Sequence, residues 1–465
     1  MKSMHRWLGA VAGLALLPGF ASAADLAEIY QRALRNDPVI REAEANRLAA
    51  LEDRPQALGA LLPQLNATGS YTHDNNVTSE PYLISANNAP LVTYSTPSDI
   101  RQWGVQLRQT LFRWDQISML QQADAAVAQA EADYRAAQES VILRTATAYF
   151  NVLAARDTLE AADASREAIG RQLEQAEKRF EVGLIAITDV EEAKAAADQA
   201  AAAVIEAKRT LATTREQLRE LTGDAFDELS RPGDDMPLVS PDPSSEDQWV
   251  RAALNQNLSL NSARLAAEIA RDNIAIARAG HMPTLDLVAS RSGNNTGAYQ
   301  TIFGIPPGPF TYPANSVIND KQIGLQVTVP IYSGGATASK VRQAVYLHRA
   351  ARERLEETAR ETERETRDAY LGVIAEIARV QALKQALASS DTALKATEAG
   401  YEVGTRTAVD VLLARQRLQD AQTNYARARY DYVINVLTLE QAAGTLDESR
   451  LARVNGWLGE RVSVK

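Results

Sequence analysis

The sequence predicts a mainly α-helical chain with membrane β-structure, built from two copies of one unit. Three observations predict it: a long-range internal repeat, four segments of clean period-two alternation, and two very long helical stretches. Phe180-Glu181-Val182-Gly183, with Asp189-Val190 six positions after the glycine, recurs as Tyr401-Glu402-Val403-Gly404 and Asp410-Val411, an offset of 221. Glu177 and Glu398, Leu218 and Leu439, and Gly223 and Gly444 keep that offset. Earlier pairs are 220 apart: Ala33-Leu34 with Ala253-Leu254, Pro63 with Pro283, Gly104-x-Gln106 with Gly324-x-Gln326. Two large copies exclude a solenoid of short repeats and point to a pseudo-symmetric pair. The first repeat covers residues 24–223 and the second 246–444, with a linker at 224–245 and a tail at 445–465.

The chain opens with Lys2 and Arg6, an apolar run over 7–17, and Ala21-Ser22-Ala23. Charged, apolar and small segments in that order predict a secretory signal peptide over 1–23, cleaved after Ala23. Its removal takes the two positive charges of Lys2 and Arg6 and moves the formal net charge from -10 to -12. An acidic exported chain is a poor candidate for nucleic-acid binding. With no cysteine in 465 residues, stability has to come from packing or assembly, and no lipid anchor can follow the signal. No later segment approaches the roughly 20 apolar residues of a membrane-crossing helix, so a membrane crossing requires a closed barrel.

In each repeat the elements run helix, strand pair, very long helix, returning helix. The first helices are expected over about 25–62 and 246–282, stopped by Pro63 and Pro283, since proline removes a backbone donor and blocks continuation. The period then changes to two. Leu65, Ala67 and Tyr71 alternate with Asn66, Thr68 and Ser70. Trp103, Val105 and Leu107 alternate with Gln102, Gln106 and Arg108. Leu285, Leu287 and Ala289 alternate with Thr284, Asp286 and Ser290, and Ile323, Leu325, Val327 and Val329 with Gln322, Gln326 and Thr328. The pattern fits outer-membrane strands, and segment by segment it equally fits a soluble sheet with one wet face. Strand pairs are expected at about 64–113 and 284–332, with Asn-, Pro-, Gly- and Ser-rich loops over about 73–99 and 292–320.

The long helices are expected over about 116–181 and 338–402, on the order of 100 Å each at about 1.5 Å per residue. Leu120, Ala123, Val127, Ala130, Tyr134, Ala137 and Val141 step alternately by three and four, a heptad seam whose alanines permit close helix approach. Gly183 and Gly404 stand where a left-handed cap residue ends a helix. Returning helices follow over about 188–221 and 409–442, and the linker and tail form a small equatorial region beside the helices.

Four strands cannot close a membrane barrel, for which about eight are the minimum. Two chains would supply eight and three would supply twelve, and only the larger ring leaves an aqueous lumen. Long helices fused to such a ring carry its lumen away from the membrane, which describes a conduit. Here the sequence resembles the TolC family of outer-membrane efflux and secretion channels. The resemblance is carried by Gly-Tyr-Glu-Val-Gly-Thr-Arg-Thr at 400–407, Val409-Asp410-Val411-Leu412, Ala428-Arg429-Tyr430-x-Tyr432-x-Ile434-Asn435 and Gly444-Thr445-Leu446. In the first repeat it is carried by Val182-Gly183-Leu184 and Ala186-Ile187-Thr188-Asp189-Val190.

The resemblance spans the mature chain. It implies a homotrimer with a twelve-strand barrel in outer-membrane lipid and a periplasmic α-helical barrel. It also implies two partners, a periplasmic adaptor (membrane fusion) protein and an inner-membrane transporter of the ABC or RND type, for export of small toxic compounds, type I protein secretion, or both. The periplasmic mouth would be closed by polar links, the hydroxyl of Tyr401 bonding the carboxylate of Asp189 and Arg406 bonding around Thr188. Asp410 would form the pore constriction as a ring of three carboxylates, and Asp rings favour cations. Leu413 stands where the family pattern often has a second acid. The turns Val182-Gly183-Leu184 and Val403-Gly404-Thr405 would dock the adaptor. A plainer reading stays open: Thr407-x-x-Asp410 is also a helix-start capping pair, and Asp189 sits in a first helical turn, where acids are favoured. The four histidines are scattered, with no metal spacing and no catalytic set, so neither enzyme nor cofactor is expected. The alternative function is a periplasmic coiled-coil scaffold or adaptor without a pore.

Overall fold

The computed structural model describes residues 25–81, 91–233, 235–305 and 307–464; the expected export signal at 1–23 lies outside them. In chain order the helices are α1 (Leu26–Asn36), α2 (Pro38–Leu51), α3 (Asp53–Leu61), α4 (Trp114–Glu181), α5 (Ile187–Thr222), α6 (Glu246–Gln256), α7 (Leu258–Ala279), α8 (Ala336–Glu402), α9 (Ala408–Ala442) and α10 (Glu448–Asn455). The strands are β1 (Gln64–Pro81), β2 (Leu91–Phe112), β3 (Glu228–Pro232), β4 (Thr284–Phe303), β5 (Phe310–Pro313), β6 (Ser316–Thr328) and β7 (Leu458–Ser463). Among the described residues, those within 43–135 and 258–361 form one compact unit, and those within 25–42, 136–257 and 362–464 form the other. Each unit therefore draws on both repeats.

The first unit carries an antiparallel sheet in the order β1-β2-β4, with β4 pairing β6 along residues 284–296 and β5 along 299–302. Leu65, Leu107, Ala289 and Ile323 are register partners across the sheet, and the next row is Asn66, Gln106, Ser290 and Gln322. Because successive side chains point to opposite faces, one face is apolar and the other polar. Gly293 makes room for a bulky neighbour, since a Cβ there would overlap the indole of Trp103. Among the described residues no strand pairs the outer edge of β1 or of β6.

The strands outrun the loops expected over 73–99 and 292–320. The ladder continues from Gln64↔Arg108 to Pro81↔Leu91, and β4 reaches Phe303. Threonines, valines and aromatics in those stretches have strand preference despite their polar neighbours. Cross-strand hydroxyl pairs add to it, Ser79 with Thr93 at 3.0 Å and Thr301 with Thr311 at 2.9 Å.

The second unit holds the helical hairpins. Helix α1 is capped by Asp25, whose carboxylate accepts from the Glu28 amide at 2.8 Å, and it buries Leu26, Ile29, Tyr30 and Ala33 along one stripe. The single helix expected over 25–62 breaks at Asp37, because Pro38 cannot continue α1 but suits the first position of α2. The break is fixed by buried Asp37 in an ion pair with Arg144. Its counterpart, expected as one helix over 246–282, breaks at Asn257 without a proline. Asn36 and Asn257 play matching parts, donating to the carbonyls of Thr222 (2.6 Å) and Ala442 (3.0 Å) at the ends of α5 and α9.

The hairpins pack by small side chains, Ala162, Val204 and Ala207 beside Leu159 for example. The linker and tail, expected as connecting structure, form more than that. Strands β3 and β7 pair antiparallel, and α10 precedes β7. Their anchors are tyrosines: the Tyr149 hydroxyl donates to the Ser230 carbonyl, and the Tyr432 hydroxyl accepts from the Val239 amide at 2.8 Å.

Gly444 has φ 69° and a Cβ there would overlap the Gln256 carbonyl. Gly444→Ala is therefore expected to cost about 2 kcal/mol or more, whereas Gly59→Ala, inside α3 with open space around it, should gain about 0.5–1 kcal/mol. Thermal unfolding of the detergent-solubilised variants, followed by circular dichroism, checks both signs.

Candidate functional site: the tips of the two helical hairpins

The long helices end alike. Gly183 and Gly404 adopt φ 73° and 78°, the left-handed conformation a terminating glycine supplies. The Leu184 amide bonds the Arg179 carbonyl and the Thr405 amide bonds the Gly400 carbonyl, both at 2.8 Å. Behind each turn lies a small apolar cluster, Ala176, Val190 and Ala193 in the first hairpin and Leu394, Val411 and Ala414 in the second. The turns themselves project. Val182, Leu184 and Val403 are 68, 73 and 75% exposed, which leaves an apolar tip open to a partner.

The returning helices begin differently. Thr407 caps α9: its hydroxyl accepts from the Asp410 amide at 3.2 Å, and Asp410 Oδ2 accepts from the Thr407 amide at 2.9 Å. This is a reciprocal capping box. Backbone and side-chain bonds from Thr407, with Arg406 nearby, hold the Asp410 carboxyl below the usual aspartate range. The capping reading of Thr407 and Asp410 is thus realised. In the first repeat the cap position is Ala186, which offers no side-chain bond, and among the described residues the Asp189 carboxylate has no hydrogen-bond partner there.

The implied gate residues gather at these tips but are not bonded as the resemblance suggests. Among the described residues, no bond joins the Tyr401 hydroxyl to Asp189 or Arg406 to Thr188. Instead the guanidinium of Arg179, on the first hairpin, lies 4.9 Å from the Tyr401 ring centre on the second. Arg406 folds back over its own hairpin, its Cγ so close to Gly400 that a Cβ there would stand 2.8 Å away. Gln172 adds a second link between hairpins, donating from Nε2 to the Ala408 carbonyl at 3.2 Å. Arg415 joins α9 to α8 through Glu398 at 2.5 Å.

Between the hairpins lies a groove of about 490 Å³ whose lining includes Arg171, Gln172, Arg179, Tyr401 and Arg415. Gln172 Oε1 and Arg415 Nε are buried there without partners. Gln172, Arg179 and Arg415 belong to none of the motifs that mark the tips in the sequence. The available signal is departure from the repeat: at the 221 offset they face Ala393, Gly400 and Lys194.

A family model described as outer membrane efflux protein matches residues 29–224 and again 249–445, the same duplication read from the motifs. Among curated proteins, the chain is 39% identical over 457 residues to outer membrane protein TolC of Vibrio cholerae serotype O1, covering 95% of this chain and 98% of that one. It is 37% identical to TolC of Escherichia coli K12, covering 99% and 90%. It is 28% identical to the alkaline protease secretion protein AprF of Pseudomonas aeruginosa, covering 98% and 91%. Among solved structures, the CmeC outer membrane channel of Campylobacter jejuni superposes with TM-score 0.72 at 18% identity, covering 93% and 89%. The outer membrane protein VceC of Vibrio cholerae superposes with TM-score 0.71 at 21% identity, covering 90% and 96%. At such identities these two speak for the fold alone.

The unequal caps predict unequal fraying. Thr407→Ala should speed amide exchange in the first turn of α9 about fivefold, and Ala186→Thr should slow it in α5 by a similar factor. Because the Asp410 carboxyl titrates low, its contribution is complete above the ordinary aspartate range and is lost only as pH falls through the lowered value. Hydrogen-exchange mass spectrometry across acid pH reads both effects.

Proposed function

The chain belongs to the outer membrane efflux protein family and is an outer-membrane channel of the efflux and type I secretion kind; from that premise we propose that three copies form one exit duct. The observation that carries the proposal is the sheet with one apolar face, one polar face and, among the described residues, two unpaired edges. Edge β6 of one copy pairs with edge β1 of the next, and three copies make twelve strands around an aqueous lumen. Rows such as Asn66, Gln106, Ser290 and Gln322 line that lumen. The hairpins of three copies continue it as a helical barrel in the periplasm.

The mouth is the gate. Arg179 against Tyr401 and Gln172 against the Ala408 carbonyl hold neighbouring hairpins together, and in this reading they keep the mouth shut. Thr188, Asp189 and Arg406, on the same two tips, rearrange around them as the mouth opens. An exposed cation–π contact and a neutral hydrogen bond contribute on the order of 0.5–1.5 kcal/mol each, small enough for a docking partner to break. A periplasmic adaptor seats its helices on the exposed Val182-Gly183-Leu184 and Val403-Gly404-Thr405 turns and in the groove between hairpins. An inner-membrane ABC or RND-type transporter supplies the energy. With Oδ2 serving the cap, the Asp410 carboxylates of the three copies form the constriction.

Planar-bilayer recordings test this. Tyr401→Ala with Arg406→Ala should raise single-channel conductance severalfold, and an unchanged value removes both residues from the gate. Asp410→Asn should shift the reversal potential in a salt gradient toward lower cation preference; no shift would show that the carboxylate serves only its helix cap.

A further inference from the structure

The face of the sheet that meets lipid in the proposed duct carries a cluster of cations in one half only. Arg291 pairs in register with Val105 on one side and Lys321 on the other, in the row adjoining Leu107, Ala289 and Ile323. By the alternation of strand side chains, Arg291 and Lys321 therefore lie on the apolar face, and both are exposed. Arg101, opposite Asn295, shares that face two rows further from the helices. From the helix-side ends at Thr284 and Thr328, seven residues along strands tilted about 40° raise Arg291 and Lys321 about 18 Å. Eleven residues raise the Arg101 row about 28 Å by the same measure, and the apolar band of such a barrel is about 25 Å tall. The cations thus occupy the half away from the helices. The half beside the helices, with Leu65, Leu107, Leu287, Ala289, Ile323 and Leu325, carries no charged residue on this face.

Like charges directly opposite one another on neighbouring strands are destabilising, and low dielectric strengthens the repulsion. Among the described residues, neither the Arg291 nor the Lys321 side chain has an ion pair or hydrogen bond to offset it. The nearest acid on the face is Asp99, already taken by the Tyr71 hydroxyl and the His73 ring at 2.8 Å each. Between the two levels the Trp103 indole lies against Gly293, where a Cβ would overlap it, an aromatic surface at lipid depth. An anion of the outer leaflet fits this arrangement: a phosphate between Arg291 and Lys321 would convert repulsion into two attractions, with acyl chains along the leucines below.

We propose that Arg291 and Lys321, with Arg101 above them, form a binding site for a phosphorylated outer-leaflet lipid of the lipid A type, one site per protomer. The site rests on the barrel reading above. Its test is native mass spectrometry of the full-length protein in detergent with three added probes: bisphosphorylated lipid A, the same lipid stripped of phosphate, and phosphatidylglycerol. The trimer should retain up to three bisphosphorylated lipids, and R291Q/K321Q should weaken that retention about thirtyfold. Lys321→Arg should preserve it. A trimer that holds the dephosphorylated lipid or phosphatidylglycerol equally well, or a double variant that retains lipid like the parent, overturns the site and leaves the duct standing. A soluble monomer overturns both.

Discussion

Backbone hydrogen bonding in a medium without water is the constraint on which this structure depends. Each peptide carries a donor and an acceptor, and in hydrocarbon an unpaired group costs several kcal/mol. Among the described residues of one chain β2 and β4 are satisfied on both sides, but the 18 residues of β1 and the 13 of β6 each present an open edge. Such a sheet cannot stand alone in a bilayer. Its order also dictates the remedy: β1 runs away from the helices and β6 toward them, so joining one copy's β6 to the next copy's β1 keeps every pair antiparallel. That contact is head-to-tail, and a head-to-tail contact that closes makes a ring.

The helical unit obeys a different economy. The internal repeat contains two hairpins with the same backbone plan, each ended by a left-handed glycine and each braced at its base by an asparagine on a returning-helix carbonyl. The two copies differ at their tips. Thr407 and Asp410 lock the start of α9 where Ala186 leaves α5 uncapped, and Arg179 on one hairpin finds Tyr401 on the other. Equal scaffolds with unequal ends let neighbouring hairpins touch through specific side chains while each remains a separate packed unit.

Much of this was legible in the residues. Period-two runs around Leu65, Trp103, Leu285 and Ile323 marked the four main strands, Gly183 and Gly404 the tips, and the Thr407-x-x-Asp410 spacing the capping box. The strand extensions past His73 and Ser292 were hidden because ladder hydrogen bonds use backbone, not side chains, and their polar composition reads as loop. The break at Asn257 was hidden because it depends on docking against Ala442, 185 residues away. Pairing of β3 with β7 was equally invisible, joining segments more than 200 residues apart with too few residues for a pattern. The contact between Arg179 and Tyr401 is a property of two hairpins side by side, which local spacing does not encode.

Closure of one barrel by the open edges of three chains is read from the native mass of the protein extracted by detergent from the outer-membrane fraction. A detergent-dependent species of three chains that comes apart only when its strands unfold is the expected result. A monomer, or a species of two chains with its strands intact, would contradict it.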